Sequence, residues 1–176
     1  MTNQSQTPSS STSWLKRIPL LYPLLGFVFG RRTRIVGLSM APALVPDEFV
    51  LFDRLAYRFD EPHRGEIVLA KDQRDGRLIV KRIAAVAGDR VVVDARGCSI
   101  NGSLMVAAFE SPSQAQSPLD HTLSPGEYFL LGDTPGVSTD SRHFGMVGRD
   151  GLLGRAWLVY WPTSRFRRVE AHPDHL

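Results

Sequence analysis

Three separated stretches of this chain carry residue types that can do chemistry together: residues 36–44, 79–83 and 132–142. In the first, Ser39 sits between Gly37 and Pro42, in a turn that can present a hydroxyl to a cleft. The second places Lys81 inside an apolar strand pattern. The third is a polar loop holding Ser138, with Asp140 and Arg142 close behind. A serine beside a lysine kept out of water is a nucleophile made without histidine, and the reaction class it serves is acyl transfer at a peptide bond.

Lys81 carries most of that argument. Strand alternation puts Ile79, Lys81 and Ile83 on one face and Val80, Arg82 and Ala84 on the other, so two adjacent cations leave the strand on opposite sides. A free lysine, with a pKa of about 10.4, is protonated at neutral pH and cannot act as a base. Desolvation disfavours the charged form, and bringing the pKa to 7–8 takes roughly 3–4 kcal/mol, which an apolar strand face can supply. Ser138 is then the group that accepts a hydrogen bond from the amine and holds it in line. The backbone N–H of Ser39 is the candidate oxyanion donor, beside Gly37. Asp140 and Arg142 are expected to form an ion pair that shapes the loop.

Each residue taken alone has a plainer reading. A lysine at a sheet edge can run its stem over apolar surface into water, and a serine in a turn can simply cap backbone. Two other arrangements stand beside the serine/lysine one. The first is a Ser39, His143 and Asp140 triad. The second is a non-catalytic β-module that binds apolar peptides at a membrane surface.

The elements available to position these residues are strands. Residues 48–56, 66–70, 77–86, 90–94, 127–131 and 154–161 are short, apolar and rich in β-branched side chains. Asp75-Gly76 and Asn101-Gly102 mark hairpin turns. No segment sustains a 3.6-residue period, and prolines punctuate the rest. The fold class expected is mainly β: an antiparallel, partly closed sheet domain over residues 35–164. Residues 110–120 read as a surface loop and 165–176 as a charged, frayed tail.

Taken together and in order, Gly37-x-Ser39-Met40-x-Pro42-x-Leu44, Lys81-Arg82 with Gly88-Asp89, and Gly132-Asp133 with Ser138-x-Asp140-Ser141-Arg142-x-x-Gly145 resemble the sequence boxes of type I signal peptidases. The resemblance runs over residues 35–160. It implies membrane-bound serine endopeptidase activity with Ser39 as nucleophile and Lys81 as general base. It matches Ser138 to the lysine-orienting serine and Asp140 with Arg142 to the structural pair. The implied fold is the antiparallel β-fold shared with self-cleaving repressors. The implied substrates are exported precursors whose N-terminal presequence carries small residues, typically alanine, at −3 and −1 from the cut. Short relatives of this family include peptidases that mature one dedicated precursor, such as that of nickel superoxide dismutase. Three positions depart from the family pattern: Gly37 stands where some members have serine, Ala43 where threonine is usual, and Thr134 where asparagine is usual.

Charge and composition narrow the partners. The net charge is +3, but five of the 21 basic residues and none of the 18 acidic ones fall in residues 1–34. The body is therefore mildly acidic, which argues against a nucleic-acid partner. Residues 1–13 are polar and read as a disordered tail, while 14–34 form a basic and apolar segment suited to an anionic membrane surface. Its apolar stretch, 18–30, would span roughly 20 Å as a helix, against a hydrocarbon core of about 30 Å. An interfacial anchor is expected rather than a full crossing. Three arginines after the stretch and two cations before it favour a cytoplasmic body by charge, whereas the family resemblance implies an extracytoplasmic one at a bacterial-type plasma membrane. No cofactor is called for, and His172 with His175 do not make a metal site. The single cysteine, Cys98, reads as structural.

Overall fold

The computed structural model describes residues 29–107 and 118–171. Residues 1–28 hold most of the basic and apolar segment, 108–117 most of the expected surface loop, and 172–176 both tail histidines; all lie outside it. In chain order the strands are β1 (Arg31–Arg34), β2 (Phe49–Asp53), β3 (Ile67–Lys71), β4 (Leu78–Ala85), β5 (Arg90–Asp94) and β6 (Gly97–Ile100). They continue with β7 (Ser103–Ala107), β8 (Leu119–Thr122), β9 (Glu127–Leu131), β10 (Val147–Gly148), β11 (Leu152–Trp161) and β12 (Arg167–Arg168). Two sheets result, both antiparallel and neither closed into a barrel. The larger runs β1-β2-β11-β3-β4-β9-β10 with β12 added against β11, and the smaller runs β7-β6-β5-β8.

Local chemistry accounts for the element ends. The run at 48–56 stops being a strand at Asp53, whose carboxylate accepts from the N–H groups of Leu55 and Ala56 at 2.8 and 3.2 Å. That is an Asx-type turn, and it starts the helical turn Ala56–Phe59 instead of prolonging β2. Asn101 and Gly102 both adopt positive φ, 52° and 83°, as the two-residue hairpin joining β6 to β7 demands.

β11 is the spine of the large sheet. Its first residues pair with β3 and its later ones with β2, so one ten-residue strand braces β2, on the Ser39 side, against β3 and through it β4, which carries Lys81. Met40, Leu44, Phe52, Leu69 and Val159 form one buried cluster beneath residues 35–48. A second cluster joins the sheets, with Ala84, Ala85, Phe129 and Leu131 of the large one against Val91, Val93, Cys98 and Ile100 of the small one. Burial there pushes the Cys98 thiol up to about 12, as expected for a packing residue rather than a reactive one. The paired sheet reaches past 35–164 on both sides, through β1 and β12.

Candidate active site

Residues 35–48 leave the sheet and return to it as a closed loop. The Ile35 N–H donates to the Glu48 carbonyl and the Asp47 N–H to the Ile35 carbonyl, at 2.8 and 3.1 Å. Gly37 takes φ +88°, a conformation that side chains resist, and this swings Val36 and Leu38 outward while Met40 and Leu44 turn into the core. Ser39, half-buried, sits between these two tendencies. It lines a cleft of about 280 Å³ together with Thr33 to Val36, Met40, Leu69 and Leu78 to Lys81.

Lys81 is only 4% exposed. Its amine donates to the Ser138 hydroxyl oxygen at 2.8 Å. Burial is the main influence on its pKa and pushes it down; the Asp140 charge pulls the other way, Arg142 reinforces burial, Asp133 opposes it, and the net direction is downward. Gly132 is the cradle of the arrangement. A Cβ there would lie 2.2 Å from the Ser138 Oγ and 2.7 Å from the Ser39 carbonyl oxygen. The Ser138 hydroxyl and the backbone of Ser39 therefore converge on one point that only glycine leaves empty.

The loop after β9 is shaped by a buried ion pair. Arg142 donates to both Asp140 carboxylate oxygens at 2.7 and 2.8 Å, and also to the carbonyls of Pro135 and Ser138 at 3.0 and 3.3 Å. The Gly132 N–H donates to the same carboxylate at 3.1 Å. Asp140 also caps the short helix Ser141–Phe144, with the His143 ring accepting from the Asp140 N–H in return. His143 is thus spent on a helix end and Asp140 on a guanidinium, a poor arrangement for a triad with Ser39. The His143 pKa is moved down, by burial first.

Alternation at β4 has the expected result. Lys81 reaches Ser138, whereas Arg82, 1% exposed, reaches Asp133 through two bonds of 2.8 and 2.7 Å and the Gly65 carbonyl at 2.7 Å. Sequence reading assigned no partner to Arg82 or Asp133 and no task to Thr134 or Gly132. The Thr134 N–H donates to the Ser39 carbonyl at 3.1 Å, and its hydroxyl to the Ala41 carbonyl at 2.9 Å. A signal existed for Asp133, since a carboxylate two residues past a strand end can answer an inward arginine on a neighbouring strand. None existed for Gly132, whose necessity lies in a contact between distant segments. Among the described residues no group of three or more His, Cys, Asp or Glu is placed to hold a metal ion.

Comparison with known proteins places this geometry in context. Residues 12–161 match the family described as signal peptidase, peptidase S26. A probable signal peptidase I-2 from Synechocystis sp. is 28% identical over 176 residues, covering 92% of this chain and 79% of its own. Signal peptidase I U of Bacillus subtilis is 29% identical, covering 81% of this chain and 82% of its own. A mitochondrial ATP-independent inner membrane protease subunit 1a from Arabidopsis thaliana is 31% identical, covering 76% and 72%. With a match of that extent over an antiparallel β-fold, the chain belongs to the S26 signal peptidase family and is a peptidase.

Proposed function

We propose that this peptidase removes N-terminal signal or pro-sequences from exported precursors, with Ser39 as nucleophile and Lys81 as general base. The observation that carries the reading is the Lys81 amine: buried, shifted toward the neutral form, and held by Ser138 at 2.8 Å beside a cleft that Ser39 lines. In the reaction the neutral amine takes the Ser39 hydroxyl proton as Oγ bonds to the scissile carbonyl carbon. The oxyanion so formed is stabilised by the Ser39 N–H. Lys81 then gives its proton to the departing amine, the C–N bond breaks, and an acyl-ester is left on Ser39. Lys81 next takes a proton from water as that water attacks the ester carbonyl, then gives the proton to Ser39 Oγ as the C–Oγ bond breaks, which releases the new carboxylate and restores both residues.

Among the described residues, two strand edges that no further strand covers support a peptide substrate. β1 pairs with β2 on one side, and residues 78–81 of β4 precede the stretch that pairs with β9. An extended chain laid between them can borrow backbone hydrogen bonds from both sides. The apolar part of the cleft lining, Ile35, Met40, Leu69, Ile79 and Val80, suits small apolar residues at −3 and −1. Val36 and Leu38, 85% and 56% exposed beside Ser39, favour a site at a membrane surface. No helix among the described residues is long and apolar enough to cross a membrane.

The test is cleavage of a peptide bearing an Ala-x-Ala site. Ser39→Ala and Lys81→Ala are each expected to lower kcat by about 10³-fold or more. Turnover that survives either change intact overturns the assigned pair.

A further inference from the structure

The turn that carries Ser39 is held from outside at every second carbonyl. Ser39 and Ala41 are taken by Thr134, through its N–H and its hydroxyl. Ala43 is taken by Arg167, whose Nη2 donates to that carbonyl at 2.6 Å. The same guanidinium donates to the two carboxylate oxygens of Glu48 at 2.6 and 3.0 Å. Glu48 is 1% exposed. Its side chain also accepts from the Val45 N–H at 3.1 Å, and its own carbonyl closes the base of the loop against Ile35. One planar cation thus ties the limb that follows Ser39 to the loop's base.

Arg167 is well placed for this. It pairs with Val159 in β12, and the Val169 N–H donates to the Trp157 carbonyl at 3.0 Å. Val169 packs on the cluster that contains Met40 and Leu44. Arg167 lies beyond residues 12–161, the part of the chain that matches the family.

We propose that Arg167 is a positioning residue for the peptidase reaction, a latch that fixes the Ser39 turn from its far side while Thr134 fixes it from the lysine side. The proposal rests on the reading of Ser39 as nucleophile. Slackening the latch moves two reacting groups at once, since the Ser39 hydroxyl and the Ser39 N–H share one backbone unit. Misplacement of about 1 Å at such a site costs on the order of 10²-fold in rate. The geometry needs arginine in particular. A guanidinium spans a carboxylate and a carbonyl together, whereas an ammonium of similar charge is a single point.

Arg167→Lys and Arg167→Met separate positioning from mere stability, with kcat, KM and the melting temperature measured for both on an Ala-x-Ala peptide. Lysine keeps a cation opposite Glu48 but gives up the Ala43 bond. The expected result is a melting temperature near that of the parent, kcat lowered about tenfold and KM within about twofold. Methionine is expected to lower both kcat and the melting temperature. An unchanged kcat in Arg167→Lys, or a loss confined to KM, overturns the latch. Ser39→Ala, assayed alongside, tells the two failures apart. If it is inactive, a negative result with Arg167→Lys counts against the latch alone. Cleavage that survives Ser39→Ala overturns the nucleophile and the latch with it.

Discussion

A lysine amine in water keeps its proton at neutral pH, and an acylation that needs its lone pair then waits on a rare species. Burial of Lys81 changes that balance, and Asp140 restrains the change. The rate kcat/KM is therefore expected to rise with pH along a one-proton limb whose midpoint lies below the ordinary value of about 10.4. A pH–rate profile on a peptide substrate checks it, and a midpoint at the ordinary value would contradict the desolvated base. Stability should follow the same group. The folded pKa lies below the unfolded one, so between the two the unfolded chain holds more protons and stability rises with pH. Below the folded pKa the full cost of burying the cation is present. Lys81→Met should be inactive, should lose that slope, and should be the more stable protein in urea melts at low pH.

The loop after β9 does two jobs, presenting Ser138 to the amine and Thr134 to the Ser39 turn, and Gly132 lets it do both. Adding one methyl there collides with the Ser138 hydroxyl and the Ser39 carbonyl. Gly132→Ala is expected to lower kcat by about 10²-fold or more and to cost about 1–3 kcal/mol of stability, read from kinetics and urea unfolding together. Parent-like kinetics would mean that the two segments can part without consequence. The strands around this loop were legible in their apolar, β-branched runs. Both hairpin turns were legible too, because Asp-Gly and Asn-Gly carry their own conformational preference. The short strands β1, β8, β10 and β12 were not. Their sequences, such as Arg-Arg-Thr-Arg and Leu-Asp-His-Thr, hold no alternation, and they become strands because a partner edge is waiting.

Across the whole molecule, buried charge pairs tie together parts far apart in the chain. Arg82 and Asp133 join β4 to the loop after β9, with Gly65 completing the shell. Asp133→Ala leaves a guanidinium buried without its carboxylate, and a loss of about 3–5 kcal/mol is expected in chemical denaturation. A double replacement of the pair by apolar residues, Arg82→Met with Asp133→Leu, should recover most of that loss, since no charge then stays buried alone. Failure of the double variant to recover would mean the pair does more than neutralise itself. On the other side of the Ser39 loop, buried Glu48 and the partly exposed Arg167 likewise join distant parts of the chain. Burial pushes the Glu48 carboxyl up, but Arg167, the Val45 N–H and Arg165 more than reverse this, leaving it below the ordinary carboxylate range.

Residue types, short-range periodicity and the resemblance of the boxes singled out Ser39, Lys81, Ser138, Asp140 and Arg142 as candidates, and periodicity alone sent Lys81 and Arg82 to opposite sides. Alternation along a strand and the backbone preferences of Gly, Asn and Asp are local, so they can be read one segment at a time. What holds the Ser39 turn could not be read that way. Thr134 and Arg167 meet its carbonyls only because β11 brings β2, β3 and β12 into register. The emptiness required at Gly132 exists only where two loops touch. Contacts of that kind depend on how strands distant in the chain pack together, and no window of neighbouring residues contains that information.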